Sequence, residues 1–171
     1  MPSLLRALDV DRDTAALHQI YSDEESARYL AQPATSSLEE THALLSSWTK
    51  GWEANSWAIT DGQSSDALGR VSTYGGDMNV WEIGVILHPS ARRRGLARQA
   101  TAEALDITFE RDGARRIFAD IDPDNIASIR LFESLGFKLE GHMRESYETH
   151  IGVRDALIYG LLRTDPLPWR A

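Results

Sequence analysis

Hydrophobic spacing changes character along this chain, and the changes predict its elements. Ser3 to Leu8 reads as a strand, followed by helical spacing through Tyr21 with Asp11 or Asp13 as its cap. Glu24 to Leu30 predicts a second short helical piece, which Pro33 ends. Ser37-Leu-Glu-Glu40 is a capping box, and Leu38, His42, Leu45 and Trp48 or Thr49 follow it at helical spacing. Ser56 to Thr60 and Ala67 to Tyr74 then read as two strands, with turn chemistry from Asp61 to Asp66 between them. Gly75-Gly76-Asp77 marks another hairpin turn, leading into the strand Val80 to Leu87. The middle of the chain is therefore an antiparallel meander.

After Leu87 strands and helices alternate. Gly95 to Arg111 predicts a helix with Ala97, Ala100, Thr101, Ala104, Leu105 and Thr108 on one face. Small residues there let a helix lie close to a sheet, and Asp112-Gly113 ends it. Ile117 to Ile121 reads as a strand, Ala127 to Leu135 as a helix, Phe137 to Glu140 as the start of a strand, and Ala156 to Leu162 as the last strand. Antiparallel strands followed by strand-helix-strand-helix-strand predict an α+β fold around one mixed sheet, with residues 1–171 as a single domain.

Composition narrows the chemistry. The apolar fraction of 42% with 26% charged residues fits a soluble globular chain, and no apolar run is long enough to span a membrane. The N-terminus has no signal-peptide pattern, so a cytoplasmic location is expected. There is no cysteine, which removes disulfides, thiolate metal sites and a cysteine nucleophile. A net charge of -8 argues against a nucleic-acid partner. The five histidines lack metal-ligand spacing. Asp120-x-Asp122-x-Asp124 fails as a calcium loop, because Asn125 occupies the glycine position and Leu131 the bidentate glutamate position. These three acids read as strand-end and cap residues, and no metal site is expected.

The cations are lopsided, with 16 arginines against 2 lysines, and three of the arginines sit side by side in Arg92-Arg93-Arg94-Gly95-Leu96-Ala97. This hexapeptide lies at a strand-to-helix turn. Unpaired N–H groups and the helix dipole favour an anion there, and Gly95 permits close backbone approach. A polyphosphate seat and a solvated basic helix start both fit these residues. The fingerprints of a Walker P-loop and of a Rossmann turn are absent.

A second patch bears on the choice. Asn125-Ile-Ala-Ser128 opens the next helix, and Leu131-Phe132-Glu-Ser-Leu-Gly136-Phe137 closes it into a strand. Together the two patches resemble the signature of the GNAT superfamily of N-acetyltransferases: Arg/Gln-x-x-Gly-x-Gly/Ala, then Asn-x-x-Ala/Ser, then Gly-Phe. Glu82-Ile83-Gly84, Glu140-Gly141 with Arg144, and the run from Asp155 to Arg163 are similar to the RimJ/RimL-type branch, which includes enzymes acetylating ribosomal-protein N-termini. The likeness covers most of the chain and is strongest from Glu82 onward.

The resemblance implies a sheet of about seven strands, splayed between the fourth and fifth, flanked by about four helices. It implies acetyl-CoA as co-substrate. The pantetheine arm would meet backbone at Val85, Ile86 and Leu87, and the pyrophosphate would meet the turn formed by Arg92, Arg93, Arg94, Gly95, Leu96 and Ala97. Asn125 would hold the cofactor from the other side, besides capping its helix. Phe132 belongs to the same cofactor-contacting set, at the position where many members carry a tyrosine proton donor.

Direct acetyl transfer needs a neutral amine, a polarised carbonyl and a protonated leaving thiolate. Glu82 is the candidate base, with Gly84 giving room on the same strand face; it reads equally as a group that binds a cationic acceptor or as an exposed strand carboxylate. Phe132 cannot donate a proton, so Ser128, one turn earlier, is the candidate donor, against a reading in which it only continues the cap. His88 is a weaker proton-relay candidate. Trp48, Trp52, Trp57, Trp81 and Tyr74 are candidates for the acceptor pocket, of which two or three at most are expected there.

The expected acceptor is the α-amine of a peptide or protein. A small amine such as a polyamine, amino acid or antibiotic is the alternative within the class, and a CoA-binding module without catalysis is the alternative outside it. Residues 20–55 and the loop from Tyr147 to Arg154 are expected to set acceptor choice. Homodimerisation is common in such enzymes.

Overall fold

The architecture is a seven-stranded mixed sheet in the order β1-β2-β3-β4-β5-β7-β6, seen in a computed structural model that describes residues 3–49 and 54–170. The strands are β1 (Leu5–Ala7), β2 (Ala54–Ile59), β3 (Gly69–Gly75), β4 (Val80–Leu87), β5 (Arg116–Ile121), β6 (Lys138–Thr149) and β7 (Gly152–Leu162). The helices are α1 (Val10–Tyr21), α2 (Glu24–Ala27), α3 (Leu38–Thr49), α4 (Leu96–Glu110) and α5 (Ile126–Ser134). The expected α+β fold is present, with five described helices where about four were expected; α2 is a single turn.

Several boundaries differ from the sequence expectation for identifiable reasons. Neither Asp11 nor Asp13 caps α1. Asp9 does, accepting from the Arg12 N–H at 3.1 Å, while Asp13 is withdrawn into a buried bidentate pair with Arg6 at 2.6 and 2.7 Å. The expected helix through Leu30 stops at Ala27. At α3 the capping box reaches back one residue further than its usual form. Ser37 Oγ accepts from the Glu40 N–H at 3.1 Å, but the Glu40 carboxylate accepts from the N–H of Ser36, at 2.7 Å. β6 and β7 run far beyond their expected spans as a long antiparallel hairpin, interrupted by register shifts at Leu139/Gly141 and Met143/Tyr147.

The two faces of the sheet are covered differently. Strand alternation puts Trp57, Val71, Trp81, Ile83 and Ile117 on the face that α4 and α5 bury. Ala100 and Ala104 of α4 are fully buried, and Thr108 hydrogen-bonds Thr73 at 3.2 Å. This is the close approach that the small-residue stripe predicts. On the opposite face α1 and α3 cover only the β2–β3 side, with Leu17, Ile20, Tyr21, Leu45 and Ala58 as a second small core. The rest of that face, across β4 and β5, stays open.

β4 and β5 pair in parallel over three residues only, from Val80↔Arg116 to Glu82↔Phe118. Beyond Glu82 each continues with its other neighbour, β4 with β3 as far as Leu87↔Gly69 and β5 with β7 as far as Ile121↔Leu157. The sheet therefore parts in a V. No helix among the described residues is long and apolar enough to cross a membrane.

Candidate active site

One wall of the V is made of backbone. From the end of β4 the chain turns through a 3₁₀ segment, Pro89–Ala91, and enters α4. Arg93 and Gly95 both take left-handed conformations, with φ of 61° and 76°. Alternating handedness at a helix start curls successive N–H groups toward a common point, the geometry of an anion nest. No hydrogen bond joins the N–H groups of Arg93 to Ala97 to an acceptor among the described residues. The left-handed φ explains the glycine at 95, since a Cβ there would otherwise have ordinary room.

The arginines of this turn do not act alike. Arg92 turns back, donating from Nε to the Leu87 carbonyl at 3.3 Å and from Nη2 to Ser26 Oγ at 2.9 Å. It thereby ties α2 to the end of β4. Arg93 and Arg94 are exposed beside the nest, and Leu96 is buried beneath it. Val85 and Ile86 are half-buried, with β3 on one side and the opening on the other.

The other wall begins at α5. Asn125 Oδ1 accepts from the Ser128 N–H at 3.2 Å, so Asn125 is the cap its position predicts. Ser128 is half-buried, and its hydroxyl has no hydrogen-bond partner among the described residues. Phe132 is 3% exposed and packs edge-on against Phe137 with ring centroids 5.0 Å apart. The loop before Asn125 is pinned by Arg154. Its guanidinium meets Asp122 at 2.7 and 2.9 Å and Asp124 at 2.5 Å, holding the Asp122 carboxyl below the usual carboxylate range. Tyr29 reaches across from the α2–α3 segment to the Asp124 carbonyl at 3.1 Å.

Glu82 stands at the apex of the V, on the open face. Asp120 shares that face, two residues beyond Phe118, the register partner of Glu82. Both acidic side chains reach solvent, yet the surrounding walls limit the hydration of the Glu82 carboxyl and raise it above its ordinary value, and the Asp120 charge raises it further. Desolvation also raises Asp120. Tyr147, on β6, faces the same cluster; burial, then the charges of Asp120 and Asp122, push its phenol up to about 12. Neither Glu82 nor Asp120 has a cationic partner among the described residues. Such a pair can hold a cation and accept a proton nearer neutrality than a free carboxylate does.

The sequence marks Asp120 only as a strand-end acid and Tyr147 only as the start of an acceptor-setting loop, a segment that is strand through Thr149 and again from Gly152; neither is a sequence-derived catalytic candidate. The signal for Asp120 lay in the alternation of β5: Ile117, Ala119 and Ile121 form its buried side, which turns Phe118 and Asp120 to the other. Tyr147 depended on the hairpin register. His88 accepts from the Ser90 N–H through Nδ1 at 3.2 Å and so caps the 3₁₀ turn. Trp57 and Trp81 belong to the core, Trp48 and Tyr74 stand against Arg70 on the opposite face, and Trp52 falls outside the described residues. Among the described residues no group of three or more His, Asp or Glu could hold a metal ion.

Known proteins share this fold. The family profile "Acetyltransferase (GNAT) domain" matches residues 3–138. An uncharacterized N-acetyltransferase, p20, of Bacillus licheniformis is 27% identical over 169 residues, covering 94% of this chain and 93% of that protein. The ribosomal protein bS18-alanine N-acetyltransferase of Escherichia coli is 32% identical over 77 residues, covering 45% of this chain and 51% of its own. Among solved structures, a probable GNAT-family acetyltransferase from Chromobacterium violaceum superposes with a TM-score of 0.87 at 26% identity, over 98% of this chain and 84% of that one. A spermidine N-acetyltransferase from Vibrio cholerae, solved with CoA and spermine, gives 0.81 at 22% over 94% and 95%. A ribosomal L7/L12 α-N-protein acetyltransferase in complex with coenzyme A gives 0.80 at 24% over 92% of each chain. With its split sheet, its N–H nest and a profile match across most of its length, this chain belongs to the GNAT family of acetyltransferases.

Proposed function

We propose that the protein transfers the acetyl group of acetyl-CoA directly to an amine, with the N-terminal α-amine of a peptide or protein as acceptor. The observation that carries this reading is the Glu82–Asp120 pair at the apex of the V, with a nest of unpaired N–H groups beyond the far end of β4. Acetyl-CoA supplies the activated thioester. The donors from Arg93 to Ala97, with Arg93 and Arg94 at the rim, suit its pyrophosphate. The free edge of β4 at Val85, Ile86 and Leu87 and the amide of Asn125 suit the pantetheine arm.

The protein's own groups then handle protons. An α-amine titrates at roughly 7.7–8.0 and a lysine amine near 10.4, so a carboxylate of raised pKa is a better match for the α-amine. Glu82 takes the proton, with Asp120 keeping its affinity for that proton high. Ser128 is the candidate donor to the departing thiolate, since Phe132 is apolar and packed against Phe137. With no cysteine in the chain, transfer needs no cysteinyl intermediate.

The relationship to the bS18-alanine enzyme supports the α-amine reading. A second reading, a small amine such as a polyamine, is favoured by the two unpaired carboxylates and by the spermine-bound fold relative. An acceptor panel with acetyl-CoA, read by thiol release corrected for hydrolysis, separates them. Peptide α-amines should turn over and spermidine should not. Acetyl-CoA should also raise the melting temperature by mass action. An unchanged melting temperature at millimolar acetyl-CoA would overturn the assignment.

A further inference from the structure

Arg70 is the odd residue of the acceptor face. It is 6% exposed, yet it forms no ion pair with a carboxylate among the described residues. Its partners are neutral: Nη2 donates to Ser56 Oγ at 2.9 Å and to the Tyr74 hydroxyl at 2.9 Å, its Cζ lies 4.7 Å from the Trp48 ring centroid, and the buried Tyr21 phenol stands beside it. Its buried Nε has no partner at all. A guanidinium stays protonated throughout the physiological range, so this site holds a full positive charge with an unused donor. Such a charge is costly to bury without a counterion.

Its place gives the charge a use. Arg70, Ser72 and Tyr74 pair with Ile86, Gly84 and Glu82, on the face that α1 and α3 cover over β3 and leave open over β4. The bond to Tyr74 draws the guanidinium along β3 toward Ser72, the partner of Gly84. A Cβ at Gly84 would meet nothing nearer than Ser72 Oγ at 3.9 Å, so bare backbone lies between the guanidinium and the carboxylates. On the far side stand Glu82 and Asp120. The face thus carries one uncompensated positive charge on β3 and two negative ones on β4 and β5, at least one strand spacing (~5 Å) away.

We infer that Arg70 binds a carboxylate of the acceptor, which therefore carries that group a few bonds from the amine to be acetylated. The inference rests on the acetyltransfer reading above and narrows its substrate. The ammonium sits at Glu82 and Asp120 and loses its proton there, while the carboxylate completes the Arg70 site. The carboxylate is either the α-carboxylate of a free amino acid or an acidic side chain at the start of a peptide. A polyamine offers Arg70 nothing.

The test uses the intact protein, acetyl-CoA and matched acceptors compared at equal concentrations of neutral amine. One arm pairs alanyl-aspartyl-alaninamide with alanyl-asparaginyl-alaninamide; the other pairs alanine with alaninamide. The carboxylate-bearing member of at least one pair should be preferred roughly tenfold or more in kcat/KM, and the arm that shows the preference identifies the source. Arg70→Gln should abolish the preference by raising the acceptor KM, while Arg70→Lys retains part of it. Acetylation without preference in either arm overturns the inference and leaves the acetyltransferase assignment standing. So does a preference that survives Arg70→Gln. Transfer to no amine at all overturns the assignment itself. If Arg70→Gln fails to fold, the wild-type comparison and Arg70→Lys still decide.

Discussion

The two walls of the cleft are built from different materials. The β4–α4 wall presents main-chain N–H groups, shaped by left-handed turns at Arg93 and Gly95. The surface across β3, β5, β6 and β7 presents charged and aromatic side chains, Arg70, Asp120, Tyr147 and Arg154, placed by strand register and by bonds such as that of Arg154 to Asp122. The first is a geometry that many side chains could decorate. The second is a set of identities that a single substitution can redirect. A conserved reaction with a variable acceptor calls for that division of labour.

The contrast can be broken first at its catalytic apex. Glu82→Gln should lower kcat/KM by about a hundredfold, and the deficit should shrink as pH rises above the amine pKa, where less base is needed. A deficit constant from pH 6 to 9 excludes a proton-accepting role. The same variant should be more stable at pH 7. Glu82 and Asp120 have folded pKa values above their unfolded ones, so their protonated forms favour the fold. That contribution is complete below about pH 4 and is lost as pH rises through the folded values. Removing one such charge should raise Tm at neutral pH, and a fall in Tm contradicts this electrostatic account.

The backbone wall should respond in the donor's constants alone. Gly95→Val forces a β-branched residue into φ near 76° and should raise the acetyl-CoA KM by about tenfold. An equal rise in the acceptor KM would show that the walls are not separable. Arg154→Ala leaves the almost buried carboxylate of Asp122 unpaired. Tm should fall by several degrees, with loosened hydrogen-exchange protection around Asn125. The smallest effect belongs to Arg94→Ala at the exposed rim, a few-fold rise in the acetyl-CoA KM that fades at high salt. Because Arg92 holds Ser26 and the Leu87 carbonyl, Arg92→Ala should instead disturb the acceptor side.

The same contrast explains which parts of the molecule are legible in its sequence. The nest turn is legible because a left-handed position favours glycine and a helix start favours a cap, so Gly95 and Asn125 carry their conformations in their identities, whereas the left-handed Arg93 does not. The meander and α4 were legible from period and small residues. Asp9, Asp11 and Asp13 could not be ranked as caps, because what removes Asp13 is Arg6, a partner on another element. The β6–β7 hairpin was largely hidden, since Lys138–Thr149 is mostly solvent-facing and lacks a sustained apolar alternation. Arg70 drew no notice because a lone arginine in a strand acquires meaning only from Trp48 and Tyr74, brought to it by the fold.

The three-rung ladder between β4 and β5 leaves the middle of the sheet unfinished. On the proposed function its missing rungs are supplied by the amide groups of the substrate that transfer consumes. Each turnover then closes and reopens a seam through the centre of the molecule. Because free CoA keeps the same amides after transfer, either form of the cofactor should complete the seam and raise Tm by mass action.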